Sequence, residues 1–154
     1  MEENRAEGDP SAGDRAAVSW QLGRRPRPFQ AAARCPYGKP SVIENEPSRS
    51  MPTRFWVTCA SLAADISRLE AAGGVRAAQE DLGAEAVEEV HAEHERRYGN
   101  RVAGIRDGGY VKCLHAFTAL HLADGGIPNP VAEWTLARLQ SPYAGGCCTP
   151  EPME

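Results

Sequence analysis

The sequence lacks any apolar run close to the roughly 18 residues that a membrane-spanning helix needs, so we expect no segment to cross a membrane. It also lacks the apolar core of a signal peptide, because the opening residues, MEENRAEGDPSAGDR, are largely polar and carry more acidic than basic side chains. Together these absences predict a cytoplasmic protein, in which thiols are kept reduced.

An excess of basic residues is also missing. The chain has 17 Lys and Arg against 21 Asp and Glu, a formal net charge of −4. This balance argues against a dedicated nucleic-acid binder, whose binding domain is usually basic. The charge is nevertheless uneven, because residues 24–39 contain basic side chains and no acidic one. This segment is either a solvated linker or one end of the molecule that meets an anion.

Two nucleotide and phosphate signatures are absent. There is no Walker GK[ST] motif, and no cysteine is followed six positions later by arginine, as a Cys-based phosphatase loop would require. The five cysteines are odd in number and scattered. Such a set is typical of buried thiols or metal ligands rather than of a disulfide framework.

The patterns that are present predict an α+β fold. Three β-like runs, PFQAAARC, PSVIEN and TRFWVTC, are joined by turn-rich connections, which favours an antiparallel meander. A short helical run, RAAVSWQLG, precedes them, and helical periodicity dominates after residue 60. We expect a small antiparallel three-stranded sheet packed against four or five helices. One domain should cover residues 16–141, between a disordered tail at 1–15 and a flexible C-terminal tail at 142–154.

Several segments resemble one known family. They are QLGRRPR, ARCPYGKPSVI, PTRFWVTCA, ISRLEAAGG, VKCLHA and the Asn-Pro pair at 129–130, in that order along residues 16–135. The chain thereby resembles an uncharacterised bacterial family, mainly actinobacterial, catalogued as domain of unknown function 501. The resemblance implies a small cytoplasmic protein without an established activity, and no catalytic residue can be carried over from it.

Cysteine and histidine offer a candidate zinc site. Cys35 enters a turn after the first strand and Cys59 ends the third, so their thiols converge if both strands end on one side of the sheet. Cys113 and His115 would complete a tetrahedral set of sulfur and nitrogen ligands. On a regular helix these two point about 160° apart, so they share a metal only if the first turn is irregular. The alternative is that both serve the core, and that the protein has no cofactor.

The stretch GGYVKCLHAFTALH offers a candidate anion site. Gly108 and Gly109 precede a predicted helix, whose first amides lack partners and attract phosphate or carboxylate. Arg106 and Lys112 would add positive charge. Ordinary helix capping is the alternative interpretation.

These observations predict a cytoplasmic binding or scaffold module without enzymatic activity. Its ligand would be anionic, such as a phosphate-bearing molecule, or it would be a protein partner. The alternative is a zinc-binding or thiol-dependent enzyme built around Cys35, Cys59, Cys113 and His115. The sequence specifies no reaction, so it does not decide whether the chain is an enzyme.

Overall fold

The computed structural model describes residues 10–143. In chain order, its elements are α1 (Ala12–Leu22), β1 (Gln30–Arg34), β2 (Pro40–Glu44), β3 (Phe55–Val57), α2 (Ala60–Ala71), α3 (Gly74–Leu82), α4 (Ala84–Tyr98), α5 (Leu114–Ala123) and α6 (Pro130–Leu136). The α+β class and the antiparallel three-stranded sheet are confirmed. Within the described residues there are six α-helices, one more than the upper expectation, and a short 3-10 helix at Val102–Gly104.

No helix in this part of the chain has both the length and the apolar character that spanning a membrane requires.

Helix α1 begins earlier than the sequence predicts. Residues 12–15, expected to belong to a disordered tail, form its first turn, because the Ser11 hydroxyl accepts a hydrogen bond from the Asp14 amide at 3.0 Å. The Asp14 carboxylate also accepts two hydrogen bonds from Arg34, at 2.9 and 2.8 Å. The start of α1 is therefore tied to the end of β1.

The sheet has two buried faces. Its strands follow the order β1-β2-β3, with Val42 opposite Val57 and Ile43 opposite Trp56. Since successive side chains of a strand point to opposite faces, Val42 and Val57 share one face and Ile43 and Trp56 the other. The first face belongs to the main core and packs mainly against α5. The second forms a smaller cluster with Val18 of α1.

Helix α5 lies at the centre of the main core, with Leu114, Phe117 and Leu120 fully buried or nearly so. Its start differs from the sequence prediction, which has helix from Tyr110 onward. Residues 110–112 are not helical, because side chains of α3 and α4 bind the backbone there. Gln79 donates to the Gly109 carbonyl at 2.7 Å and accepts from the Val111 amide at 2.8 Å.

Gly109 sits against the first residue of α4. A Cβ atom at this position would lie 1.8 Å from the Ala84 carbonyl oxygen, so only glycine allows the two backbones to approach this closely. The neighbouring Tyr110 carbonyl accepts a hydrogen bond from His91 Nε2 at 2.8 Å. The segment before α5 is thus fitted to α3 and α4 along its backbone.

Asp65 of α2 anchors the end of the described chain. Its buried carboxylate accepts hydrogen bonds from the Gln140 and Ser141 amides, at 2.9 and 2.7 Å, and from Arg68 at 3.0 Å. Burial acts to raise the pKa of Asp65, but the hydrogen bonds from Ser141, Arg68 and Gln140 outweigh it and hold the pKa below its ordinary value.

Acid should therefore remove the stability that Asp65 contributes. A carboxyl group whose pKa is lowered in the folded state stabilises the protein above its unfolded value of about 3.9 and loses that effect as the pH falls through the folded pKa. We expect wild type to melt higher than Asp65→Asn at pH 7, and this gap to shrink below about pH 4. Melting curves of both proteins from pH 7 to pH 2.5 measure the gap, and a constant gap would contradict the assignment.

Candidate functional site

The candidate site lies where α5 begins. Cys113 is the N-cap residue, with an extended backbone at φ −156° and ψ 153°, and its Sγ accepts a hydrogen bond from the Ala116 amide at 3.4 Å. Because Cys113 precedes the helix rather than belonging to it, the angular separation expected on a regular helix does not apply. Its thiol can therefore lie beside the ring of His115.

The ring of His115 is held at both nitrogens. Nε2 lies 3.2 Å from the Ala63 carbonyl oxygen and 3.2 Å from the Ser67 hydroxyl, both on α2. A carbonyl oxygen only accepts, so Nε2 carries a hydrogen. Nδ1 lies 3.2 Å from Oε2 of Glu70. This geometry directs Nδ1 toward the carboxylate.

Glu70, in the last turn of α2, is the site residue that the sequence did not reveal. Its Oε2 also accepts a hydrogen bond from the Leu114 amide at 2.7 Å, so the chain's own carboxylate occupies the N-terminus of α5. One donor atom from each of Glu70, Cys113 and His115 lies within 4.8 Å of the other two. Sulfur, nitrogen and oxygen donors therefore converge between α2 and α5.

The electrostatics of this group favour a positive charge. The pKa of His115 is raised by its hydrogen bond with Cys113; burial opposes this, and the Glu70 carboxylate and the Ala63 carbonyl add to it. All three side chains are partly exposed. A proton on the imidazole, or a cation in its place, would be stabilised here.

A cleft of about 340 Å³ opens beside Cys113 and His115. The rest of its wall is apolar except for Thr53, and is formed by the segment that leads into β3, by β3 itself and by α5: Met51, Pro52, Phe55, Trp56, Val57 and Ala116. Its volume suits a small molecule. A group that binds at the convergent donors would thus have an apolar wall on one side.

The four predicted zinc ligands do not converge as one set. Cys35 and Cys59 both lie near the first residues of β2, because their amides donate to the carbonyls of Lys39 and Ser41, at 2.8 and 3.3 Å. Within the described residues, however, neither thiol belongs to the group formed by Glu70 and the two α5 residues. Cys35 and Cys59 instead lie near Tyr143, whose pKa is raised by burial and then by both thiols.

The predicted anion site is not assembled at a helix N-terminus. Gly108 and Gly109 come well before α5, and their carbonyls accept hydrogen bonds from Arg101 and Gln79. Lys112 Nζ lies 3.4 Å from the Ala103 carbonyl, and Arg106 is exposed. The first amide of α5 donates to Glu70, which leaves it unavailable to an external anion. Anion binding by Arg106, Gly108, Gly109 and Lys112 stays a prediction.

Comparison with known proteins gives one family and no activity. The family model described as "Protein of unknown function (DUF501)" matches residues 31–101 and 83–137. No curated protein and no solved structure matches the chain significantly.

Proposed function

The chain belongs to DUF501, a family of unknown function, so we infer its function from the site alone. We propose that it binds one zinc-class transition-metal ion through Glu70, Cys113 and His115. Thiolate, imidazole and carboxylate are the ligands that zinc takes in proteins. The proposal keeps two of the four ligands expected from the sequence and replaces Cys35 and Cys59 by a glutamate.

The observation that carries the proposal is the contact between His115 Nδ1 and Glu70 Oε2 at 3.2 Å. With Nε2 donating to the Ala63 carbonyl, a neutral ring presents the lone pair of Nδ1 to a carboxylate oxygen. Two acceptors face each other only if a proton or a metal ion lies between them. Zinc bonds of about 2.0–2.3 Å place neighbouring ligand atoms roughly 3.3–3.8 Å apart, close to this spacing.

The surroundings of His115 also suit metal binding. Metal-ligating histidines commonly donate their second ring N–H to a backbone carbonyl, which fixes the tautomer and the ring orientation. The Ala63 carbonyl occupies this position, and the Leu114 amide orients the Glu70 carboxylate in the same way. In a reducing cytoplasm, Cys113 would remain available as a thiolate ligand.

Three protein ligands leave a fourth position. This arrangement is typical of catalytic zinc sites, whereas structural sites have four protein ligands. The apolar cleft beside Cys113 and His115 would hold the group that approaches the metal. The proposed function is therefore metal-dependent chemistry on a small molecule, with the apolar wall at Phe55, Trp56 and Val57 as the surface that selects it.

Metal analysis of protein purified under reducing conditions tests the proposal. We expect roughly one zinc per chain, and a cobalt-substituted form with the near-ultraviolet charge-transfer band of a cobalt–thiolate bond. Cys113→Ser and Glu70→Gln should each weaken zinc binding at least tenfold, and Cys113→Ser should abolish the thiolate band.

Two buried cysteines provide matched controls. Cys35→Ser and Cys59→Ser remove thiols outside the convergent group, so both variants should bind zinc as wild type does. Loss of zinc in these two variants as well as in Cys113→Ser would restore the sequence-based ligand set and overturn the proposal. A wild-type protein that binds no zinc after reconstitution would overturn it as well.

A further inference from the structure

A groove lined by arginines lies on another part of the molecule, between α1 and the segment that follows it. Its volume is about 620 Å³, and we call it the arginine groove. Three arginines line it, Arg15 on α1 and Arg25 and Arg27 on the following segment, together with Ser19 and Phe29. Helix α1 and the segment that follows it thus both contribute residues to one concave surface.

The charge of the arginine groove is uncompensated within the described part of the chain. None of its lining residues is acidic, and no ion pair between described residues involves Arg15, Arg25 or Arg27. Arg15 donates to the Pro10 carbonyl at 2.7 Å and Arg27 to the Glu46 carbonyl at 3.4 Å. Each guanidinium has five N–H donors, so these contacts orient the groups and leave donors for a ligand.

The proline segment holds two of these arginines in place. Residues 25–27 are neither helix nor strand, and Pro26 and Pro28 restrict the backbone around Arg27. The buried ring of Phe29 anchors the end of the segment beside the Ile43 and Val18 cluster. A pre-ordered segment loses little conformational entropy when a ligand binds. The run RRPRP is therefore part of a built surface rather than a free linker.

We propose that the arginine groove binds the pyrophosphate group of a small molecule. A guanidinium group can donate two parallel hydrogen bonds to two oxygens of one phosphate group. Three guanidinium groups therefore suit a ligand with two adjacent phosphate groups better than a ligand with a single phosphate. The Ser19 hydroxyl adds a neutral donor. The volume lies in the range of small-molecule sites. This proposal does not depend on the metal site.

Calorimetric titration with inorganic pyrophosphate tests it. Full-length Cys113→Ser protein, freed of metal with EDTA and dialysed, is used so that chelation of zinc contributes no heat. We expect saturable binding of one pyrophosphate per chain, at least tenfold tighter than inorganic phosphate. Arg25→Ala and Arg27→Ala should each weaken binding about tenfold, the effect of one charge-assisted phosphate contact.

Arg24→Ala is the matched control, because Arg24 carries the same charge next to Arg25 but does not line the groove. It should change pyrophosphate affinity less than twofold. Equal losses in Arg24→Ala and Arg25→Ala would mean attraction to diffuse charge and would overturn the proposal. So would the absence of saturable pyrophosphate binding, or tighter binding of a single-stranded oligonucleotide than of pyrophosphate.

Discussion

Gly109→Ala should destabilise the protein by about 4 kcal/mol, although it adds only a methyl group. The added Cβ would lie 1.8 Å from the Ala84 carbonyl oxygen and 2.6 Å from its carbon. Both are backbone atoms, so no side-chain rotation relieves the clash. Either α4 or the segment before α5 must move, and the hydrogen bonds of Gln79 to that segment would be lost with it.

Thermal melting measures this effect. For a chain of this size, a loss of about 4 kcal/mol lowers the midpoint by roughly 10 °C or more. Gly125→Ala is the control, because its added Cβ would approach nothing closer than the His121 carbonyl at 3.8 Å. A Gly109→Ala protein that melts within about two degrees of Gly125→Ala would show that the two backbones do not approach as described.

Asn129→Ala should lower the free energy of unfolding by about 3 kcal/mol, since each buried group left without a partner costs roughly 1–3 kcal/mol. Asn129 is buried and joins two helices: Nδ2 donates to the Phe117 carbonyl of α5 at 2.9 Å, and Oδ1 accepts from the Ala132 amide of α6 at 3.0 Å. Alanine would leave the Ala132 amide unpaired inside the protein, and the Phe117 carbonyl would lose the hydrogen bond that it accepts in addition to the one within α5.

Asn129→Ser separates the two contributions. Serine can cap α6 but is too short to replace the amide that bridges to Phe117. The free energy of unfolding of Asn129→Ser should therefore lie between those of wild type and Asn129→Ala. Urea unfolding of the three proteins gives the order. Equal stability of the serine and alanine variants would mean that the cap contributes nothing, and equal stability of the serine variant and wild type would eliminate the bridge.

The elements that could be predicted are those whose signals are local. Alternating side chains and turn residues defined the sheet. The start of α6 is also a local signal, because Asn129 is its N-cap and Pro130 its first residue. The start of α5 was wrong because its determinants are remote. Tyr110 has its carbonyl bound by His91, and Val111 has its amide bound by Gln79, so tertiary hydrogen bonds override the helical pattern.

The candidate site was half predictable for the same reason. Cys113 and His115 are close in sequence and could be recognised together. Glu70 lies at the end of a different helix, and it joins them only because α2 crosses the start of α5. No spacing in the sequence encodes that crossing. The sequence grouped Cys35 and Cys59 with them. These two cysteines both lie near the first residues of β2, but they lie outside the convergent group.

The two-sided burial of the sheet bears on how the chain folds as it is synthesised. Helix α1 precedes the strands and can cover the Ile43 face as soon as β2 has formed. The Val42 face must wait for α5, which ends at Ala123, long after β3 ends at Val57. At a translation rate of about 5–20 residues per second, this apolar surface stays uncovered for roughly 3 to 13 seconds. A nascent chain stalled on the ribosome in that interval would expose the apolar Val42 face of the sheet to solvent. Exposed apolar surface of this kind is what chaperones recognise.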